Sequence, residues 1–294
     1  IDGEDSRRCV NNYGVFDGFH VTRGRSFNYG GGIYNWQGTV RNSVIFENVC
    51  EEKLGHSQGG GIYNRLGLID NCILYGNITF DTYSSGGAIS NMKGRITNCI
   101  VYGNNATYSG GGILSYEGDI INCLVFDNSC DENGGGIYNT VGKVVNCTVY
   151  NNIADEAGGI YNHFGLCVNS IIWNNEKGDI SGLGDFNYCC YGGADGDGNI
   201  SADPLFVNTS GDKSSWDFNL KDGSPCVDAG TLEEAAESDL DGNSRPGGDS
   251  SICMGVYESP DSYVSGERRT HRFYVSKQGN DSNGSNWNDA FTSL

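Results

Sequence analysis

Two short acidic runs carry the side chains best suited to hold a metal ion. Asp239, Asp241 and Asn243 alternate in one glycine-containing segment, and Asp195, Asp197 and Asn199 alternate in another. Carboxylate and amide oxygens at alternating loop positions are ligands that suit Ca²⁺. Neither run carries the distal glutamate of an EF-hand, and Asx-rich turns without a metal have the same composition. The runs predict two candidate calcium sites, with metal-free turns as the alternative.

A second set of charged residues bears on polysaccharide cleavage. Acid–base hydrolysis of a glycosidic bond needs two carboxyl groups about 5–9.5 Å apart, which neighbouring chain segments could supply. Arg95, Asp119 and Lys143 occupy equivalent positions in successive repeats, but their charges alternate in sign. Alternating signs favour a solvated row of ion pairs. No catalytic residue is therefore assigned.

The 12 cysteines fall into different sequence contexts. Each of four follows an asparagine at a regular interval: Cys72, Cys99, Cys123 and Cys147. This regularity indicates small, buried and reduced side chains. Four others lie in irregular sequence and are candidates for disulfide bonds, with the pairing open: Cys189, Cys190, Cys226 and Cys253. The sequence has no CxxC motif, which disfavours a zinc site.

Aromatic residues recur in the same phase as these cysteines. The main set is Phe46, Tyr75, Tyr102, Phe126, Tyr150 and Trp173, and a shorter set is Tyr34, Tyr63, Tyr138 and Tyr161. If each set lies along one outer edge, the longer one suits binding to glycans or to protein. The alternative is that the chain's own residues 179–258 cover it, because burying apolar area is favourable.

The common phase arises because the chain is built from repeats. A GGGIYN-like motif starts at residues 30, 59, 86, 110, 134 and 157, so successive starts are 23 to 29 residues apart. An asparagine followed by Cys or Ser recurs between these motifs, ahead of β-branched or aromatic residues. The repeats are too short for propeller blades and lack a helix-length segment. The sequence therefore predicts an all-β, right-handed parallel β-helix of about seven coils.

Stacked coils place equivalent residues in columns. Three inward columns are predicted: Phe19, Ser43, Cys72, Cys99, Cys123, Cys147 and Ser170; Val21, Ile45, Leu74, Val101, Val125, Val149 and Ile172; and Ile33, Ile62, Ile89, Ile113, Ile137 and Ile160. An amide ladder is predicted for Asn48, Asn77, Asn104, Asn128, Asn152 and Asn175. The first glycine of each motif is expected at a corner with positive φ.

Composition excludes several classes of protein. The formal net charge is −19, so binding to nucleic acid or attachment to an anionic membrane is disfavoured. No run approaches the roughly 20 apolar residues of a membrane-spanning helix. Hydrophobic residues make up 37% of the chain, which is too many for a disordered protein. The cysteine-rich, acidic composition favours a secreted or cell-surface protein.

The coils at residues 17–175 resemble bacterial right-handed parallel β-helix repeat proteins, particularly secreted ones that end in a surface-anchor region. The segments Asn199–Phe206, Gly223–Gly230 and Met254–Glu258 resemble the closing segment of that family. The resemblance implies β-helix coils at 1–178, a closing segment at 179–258, a linker at 259–272 and a start-like segment at 273–294. It implies a fold and not an activity, because such folds host many functions.

The start-like segment stands after the closing segment, so the pieces are in permuted order. This order predicts either a window of a tandem array or head-to-tail association between copies, and a simple fragment is the third alternative. We therefore expect a non-catalytic extracellular structural or adhesive protein that binds other copies of itself or neighbouring β-helix units. The alternative is a carbohydrate-binding or polysaccharide-degrading β-helix that uses the aromatic edge.

Overall fold

The computed structural model describes residues 1–51, 56–246 and 251–259, and it is an all-β parallel solenoid. Each coil adds one short strand to each of up to four parallel sheets, and the chain then moves on to the next coil. This confirms the predicted parallel β-helix. The predicted linker at 259–272, apart from Ser259, and the start-like segment at 273–294 lie outside the described residues.

The four sheets run along the solenoid axis and are numbered in the order in which a coil enters them. Sheet I contains Val10–Asn12, Ile33–Trp36, Ile62–Arg65, Ile89–Met92, Ile113–Tyr116, Ile137–Asn139, Ile160–Asn162 and Ile180–Ser181. Sheet II contains Val15–Asp17, Thr39–Arg41, Leu68–Asp70, Arg95–Thr97, Asp119–Ile121, Lys143–Val145, Leu166–Val168 and Asp185–Asn187. Sheet III contains His20–Thr22, Val44–Phe46, Ile73–Tyr75, Ile100–Tyr102, Leu124–Phe126, Thr148–Tyr150 and Ile171–Trp173. Sheet IV contains Arg25–Phe27, Val49–Glu51, Ile78–Phe80, Asn105–Ala106 and Ser129–Cys130.

Coils are numbered by their sheet I strand, so coil 1 begins at Val10 and coil 8 at Ile180. After coil 8 the chain turns back along the outside of sheet III as a covering segment, defined here as residues 204–246 and 251–259. It contains an antiparallel hairpin, Phe206–Asn208 with Asp217–Leu220, and a 3₁₀ turn at Lys213–Ser215. No helix in the described ranges is long and apolar enough to cross a membrane.

The core consists of aliphatic columns that follow the predicted phase. Ile33 pairs with Ile62, and Ile62 pairs with Ile89, each with no exposed surface. The register also aligns Ile45 with Leu74. A further inward column, in sheet II, was not predicted: Phe16, Val40, Ile69, Ile96, Ile120, Val144, Cys167 and Phe186. The interior is therefore filled from three walls with side chains that repeat in every coil.

The predicted cysteine column lies in the core, with one exception at its start. The thiol of each column cysteine donates to the backbone carbonyl two residues earlier, as from Cys99 to Thr97 at 3.1 Å. Ser43 and Ser170 make the same bond with their hydroxyls. The exception is Phe19, which lies in coil 1, is 45% exposed and stacks on the ring of the inward residue Phe16. In the other coils a short Ser or Cys side chain occupies this position and bonds back to its own turn, which phenylalanine cannot do.

Asparagine side chains form the predicted ladder between sheets III and IV. The side-chain amide of each asparagine donates to the Oδ1 atom of the next, at 2.9–3.0 Å from Asn48 through to Asn175. Every ladder residue up to Asn152 is buried. A second ladder inside sheet I was not predicted and runs through Asn12, Asn35, Asn64, Asn91 and Ser115, then from Asn139 to Asn162. The two ladders connect coils in addition to the backbone hydrogen bonds.

Glycine recurs at two places in the coils, where the backbone conformation or the space favours it. The first glycine of the GGGIYN motif has positive φ, as predicted, for example +71° at Gly59 and +67° at Gly134. Ala157 takes this conformation in the last repeat, with a φ of 50°. The second place follows sheet I, where a Cβ atom on Gly38 would lie 2.6 Å from the side-chain nitrogen of Asn12. These glycines therefore leave room for the second asparagine ladder.

Candidate functional site

The outer face of sheet III carries the aromatic ladder, which is Phe46, Tyr75, Tyr102, Phe126, Tyr150 and Trp173. The strand register places these residues directly above one another in coils 2 to 7. Ring centroids from Phe46 to Phe126 are 5.0–5.2 Å apart, with interplanar angles of 8–15°. The first four rings therefore form one continuous stack along the axis.

The stacking limits what the aromatic ladder can bind. A sugar ring packs against the face of an aromatic ring, but the faces of Tyr75 and Tyr102 contact ladder neighbours on both sides. Only ring edges and hydroxyl groups point outward. Burial raises the pKa of Tyr102 to about 12, so its hydroxyl stays protonated at neutral pH. The geometry favours packing over stacking of sugars on this edge.

The covering segment packs on the distal half of the ladder. Phe218 lies 5.4 Å from both Phe126 and Tyr150, measured between ring centroids. Trp216 meets Tyr150 edge-on at 5.6 Å, and Phe206 does so at 5.8 Å. Phe126 and Tyr150 are 9% and 8% exposed as a result. In coils 5 to 7 the ladder is thus an internal packing surface.

Polar contacts hold the covering segment in register on these coils. The Asn169 side chain exchanges two hydrogen bonds of 2.8 Å with the backbone of Thr231. The Asn146 side chain accepts a bond from the backbone N–H of Ala236. Lys143 forms an ion pair of 2.7 Å with Glu234. The docking of this segment is therefore directional as well as apolar.

The proximal half of the same face is an apolar strip, defined here as Val44, Phe46, Ile73, Tyr75, Ile100 and Tyr102. The ring contacts of Phe46 and Tyr75 within the described residues are with other ladder rings. On the outer face of sheet II in these coils the column contains Thr39, Leu68 and Arg95. The apolar strip thus differs from its neighbouring wall and continues the surface on which the covering segment packs.

The second set of aromatic residues does not form a continuous row. Tyr34 stacks on Tyr63 at 5.5 Å, and Tyr138 stacks on Tyr161 at 5.0 Å. Ser90 and Leu114 occupy the coils between these two pairs. The guanidinium of Arg8 lies 5.3 Å from the centre of the Tyr34 ring. The two pairs are separate patches on the outside of sheet I.

Hydrogen bonds occupy side-chain oxygens at both candidate calcium sites, most fully at Asp239. Asp239 accepts bonds from the backbone and side-chain nitrogens of Asn243 at 2.7 and 2.8 Å. It also accepts from the backbone of Glu258, and Asp239 and Asp241 are both buried.

At the other site, Asn199 accepts from the backbone of Cys189 and donates to the carbonyls of Phe186 and Asp195. Asp195 and Asp197 are exposed there. The described ranges contain no group of three or more His, Cys, Asp or Glu suited to hold a metal. The contacts match the Asx-turn alternative, and calcium binding stays a prediction.

The covering segment contains a buried ion pair that could not be predicted from the sequence. Arg245 and Glu258 have no exposed side-chain surface, and Nε lies 2.6 Å from Oε1. The Glu258 carboxylate also accepts from the backbone of Cys253, and Arg245 donates to the carbonyl of Gly255. Burial raises the pKa of Glu258, while Arg245 opposes that rise. The pair joins two parts of the covering segment that the sequence separates.

The charged row in sheet II is partly as predicted. Arg95 and Asp119 form an ion pair of 3.5 Å, while Lys143 forms its ion pair with Glu234 instead. Lys93 and Glu117 form a parallel pair at 2.9 Å. These pairs line a shallow groove of about 500 Å³ that crosses coils 2 to 5. Opposite charges face each other along it, so no pair of free carboxylates is presented there.

The four candidate disulfide cysteines have different surroundings. Cys189 lies in the solenoid core, where its thiol donates to the carbonyl of Asn187. It thus behaves like the column cysteines, with its sulfur 3.8 Å from that of Cys167. Cys190, Cys226 and Cys253 share a second core beneath the covering segment. All 12 cysteines are reduced in the structure.

One comparison with known proteins gives a match. The repeat described as Chlamydia polymorphic membrane protein (Chlamydia_PMP) repeat matches residues 122–140. This stretch begins at an asparagine–cysteine pair in coil 5 and ends just after the GGGIYN motif that opens coil 6, so it covers most of one repeat. Searches of curated proteins and of solved structures returned no match. The chain is therefore similar to that family over a single repeat.

Proposed function

We propose that the chain is a non-catalytic structural or adhesive β-solenoid of the cell surface that associates head to tail with further units. The observation that carries this proposal is that, among the described residues, sheets I and II end in a strand with one free edge at each end of the solenoid. Within residues 1–51, 56–246 and 251–259, the coil 1 strands Val10–Asn12 and Val15–Asp17 pair with coil 2 alone, and the coil 8 strands pair with coil 7 alone. An edge of unpaired parallel strands can recruit a strand from another unit.

Exposed apolar side chains at the coil 1 end support this proposal. Tyr13 and Val15 are each 68% exposed, Phe27 is 59% exposed and Phe19 is 45% exposed. At the opposite end, the buried Tyr191 ring packs against the core, and the backbone of Ile200 pairs with Cys189 and Tyr191. The coil 1 end thus offers backbone groups of sheets I and II together with apolar surface, while its sheet III strand pairs with residues 1–3. At the coil 8 end the chain covers sheet III, and among the described residues the strands Ile180–Ser181 and Asp185–Asn187 keep one edge unpaired.

The surface location rests on the repeat match and on composition. The matched repeat is named for a polymorphic membrane protein of Chlamydia. A net charge of −19 favours a soluble, extended particle over one that binds polyanions. The ion-paired groove and the stacked ladder support a structural role better than a catalytic one.

The test is the mass of the full chain in solution as a function of concentration, measured by light scattering and negative-stain microscopy. We expect particles whose mass grows in multiples of the monomer and whose length grows along one axis. Val15→Lys places a charge on the open edge and should shift assembly to higher concentration by at least about tenfold.

Leu68→Lys is the matched control, because Leu68 lies in the same outward column but in coil 3. It should leave assembly unchanged. A chain that stays monomeric at all concentrations, or equal effects of the two substitutions, would refute head-to-tail association. Release of reducing ends from an acidic polysaccharide would refute the non-catalytic role and favour the carbohydrate-active alternative.

A further inference from the structure

The corner between sheets I and II carries a row of exposed side chains along the whole solenoid. In each coil, one exposed residue precedes the glycine that leads into the sheet II strand. This residue is polar in three coils, as Gln37, Lys93 and Glu117. It is apolar in the other five, as Tyr13, Leu66, Val141, Phe164 and Leu183. Together these residues are called the corner row.

The apolar surface of the described residues is concentrated at this corner. The four most exposed large hydrophobic residues in those ranges are Leu183 at 77%, Tyr13 and Val15 at 68% and Phe164 at 60%. Three of them belong to the corner row, and Val15 follows Tyr13 after one glycine. Exposed apolar residues on a monomer are usually scattered, so their alignment along one edge indicates an interaction surface.

The middle of the corner row carries charges that are grouped by coil. In coil 4 the glycine is flanked by two cations, Lys93 and Arg95, and in coil 5 by two anions, Glu117 and Asp119. Within one copy, Lys93 pairs with Glu117 and Arg95 pairs with Asp119. These side chains keep 33–58% of their surface exposed. Each charge can therefore face a further charge from outside the chain.

This grouping determines how a second copy can pack against the corner. If two copies lie side by side in the same direction, each coil faces its own equivalent, and like charges meet at coils 4 and 5. If the copies run in opposite directions about a two-fold axis between coils 4 and 5, coil 4 of one copy faces coil 5 of the other. Lys93 and Arg95 then face only anionic groups. The charges thus favour the antiparallel arrangement.

The antiparallel arrangement also matches apolar residues along the rest of the row. Coil 3 faces coil 6, coil 2 faces coil 7 and coil 1 faces coil 8. The pairs across the axis are Leu66 with Val141, Gln37 with Phe164, and Tyr13 with Leu183. Two of the three pairs are apolar on both sides, and the symmetry repeats each pair twice. The corner row is therefore complementary to itself in charge and in hydrophobicity.

We infer that the corner row is the contact surface of an antiparallel two-fold dimer of this chain. The row spans seven coil spacings of ~4.8 Å, or about 34 Å, which suits a small interface and a Kd of about 10–100 µM. The net charge of −19 per copy opposes association. Screening beyond about 8 Å at about 0.15 M salt leaves the facing charges to decide. A two-fold pair is closed and adds no growth along the axis, so the inference does not depend on head-to-tail association.

Sedimentation velocity of the full chain at about 0.15 M salt measures the dimer as concentration rises. Lys93→Glu/Arg95→Glu makes coils 4 and 5 both acidic and should weaken the dimer at least about tenfold. The exchange variant, Lys93→Glu/Arg95→Glu/Glu117→Lys/Asp119→Lys, should dimerise like the unsubstituted chain, because opposite charges face each other again.

Lys177→Glu/Lys221→Glu is the matched control, because it makes the same change in net charge at exposed positions outside the corner row. It should leave the dimer unchanged. A chain that shows no dimer up to about 1 mM, an exchange variant that dimerises as weakly as the acidic variant, or an equal loss in the control would overturn the inference.

Crosslinking tests the direction of the second copy. Leu66→Cys/Val141→Cys is treated with a bis-maleimide shorter than ~10 Å, about two coil spacings. We expect a covalent dimer on a denaturing gel. Leu66→Cys alone should give none, because the antiparallel dimer holds its two copies three coils, or about 14 Å, apart. A covalent dimer from Leu66→Cys alone, or none from the double variant, would overturn the arrangement, and the unsubstituted chain controls for the native cysteines.

Discussion

Replacing one interior asparagine of the ladder between sheets III and IV should cost more stability than most core substitutions. The side-chain nitrogen of Asn104 lies 2.9–3.0 Å from the oxygens of Leu74, Tyr102 and Asn128. Its Oδ1 atom accepts from the backbone and side-chain nitrogens of Asn77 at 2.9 and 3.0 Å. Asn104→Ala therefore removes five hydrogen bonds at once.

The magnitude follows from counting the groups in those bonds. Two backbone carbonyls, one backbone N–H, one amide oxygen and one side-chain N–H lose a partner, and each costs about 1 kcal/mol at the low end of the usual range. We expect Asn104→Ala to lower the free energy of unfolding by about 3–5 kcal/mol. Urea denaturation followed by circular dichroism measures this loss, provided that the slope of the transition is compared as well.

The neighbouring residue provides the control. Asn105 is exposed, and its side chain donates to the Ser129 hydroxyl at 2.9 Å. Asn105→Ala should cost less than about 1 kcal/mol, because water replaces that bond. Equal losses for the two variants, or a loss below about 1.5 kcal/mol for Asn104→Ala, would refute the claim that the ladder stabilises the coils.

Three further predictions concern the corner, the covering segment and the buried thiols. Ala157→Gly should raise the free energy of unfolding by about 0.5–1 kcal/mol, because Ala157 has a φ of 50°; the urea midpoint measures this. Trp216→Ala should cost about 2–3 kcal/mol and speed proteolysis of the covering segment, because Trp216 packs on Tyr150. Burial raises the pKa of Cys50 to about 11 and of Cys130 to about 12, from an ordinary value of 9.0. The unfolded thiols ionise first, so the contribution of these two thiols to stability should be constant below pH 9 and fall as pH rises above it, and the alkaline loss should be less steep in a Cys50→Ala/Cys130→Ala variant.

Each of these predictions has a matched control. Gly134→Ala, at the equivalent corner, should destabilise where Ala157→Gly stabilises. Trp36→Ala, on the outside of sheet I, should leave proteolysis of the covering segment unchanged. The cysteine variant should fold, because Ala106 and Ala154 occupy the same buried column. An alkaline slope that is the same with and without the two thiols would disprove their contribution.

The repeating part of the fold could be predicted from sequence because the same type of residue recurs at each equivalent position of successive coils. The aliphatic columns, the Asn48–Asn175 ladder and the aromatic ladder each recur in six coils with the same phase. The second asparagine ladder was missed although Asn35 and its equivalents recur equally well. A polar residue on the inner face of a strand contradicts the hydrophobic pattern, and only the stacked register shows that its amide is paired.

The covering segment could not be predicted in the same way because it has no repeat. Its contacts each occur once, as between Phe218 and Phe126 or between Arg245 and Glu258. They depend on how the chain turns back after coil 8. Cys189 was grouped with the irregular cysteines for a similar reason. The residue before it is Tyr188, which adopts a φ of 51° at the position where coils 2 to 7 have asparagine. The asparagine–cysteine pair that marks the column is therefore absent from the sequence here.

The ladder between sheets III and IV runs in one direction, which makes the two ends of the protein electrically unequal. Within the ladder, each amide donates to the next asparagine toward coil 8 and each interior Oδ1 accepts from the coil 1 side, so the amide dipoles add along the axis with the positive end at coil 8. The last donor, Asn175, gives its hydrogen bond to the carboxylate of Asp179 at 3.0 Å, and a negative charge thus terminates the series. A rod with such a polarity can be extended by an amide from a following unit only if that unit faces the same way.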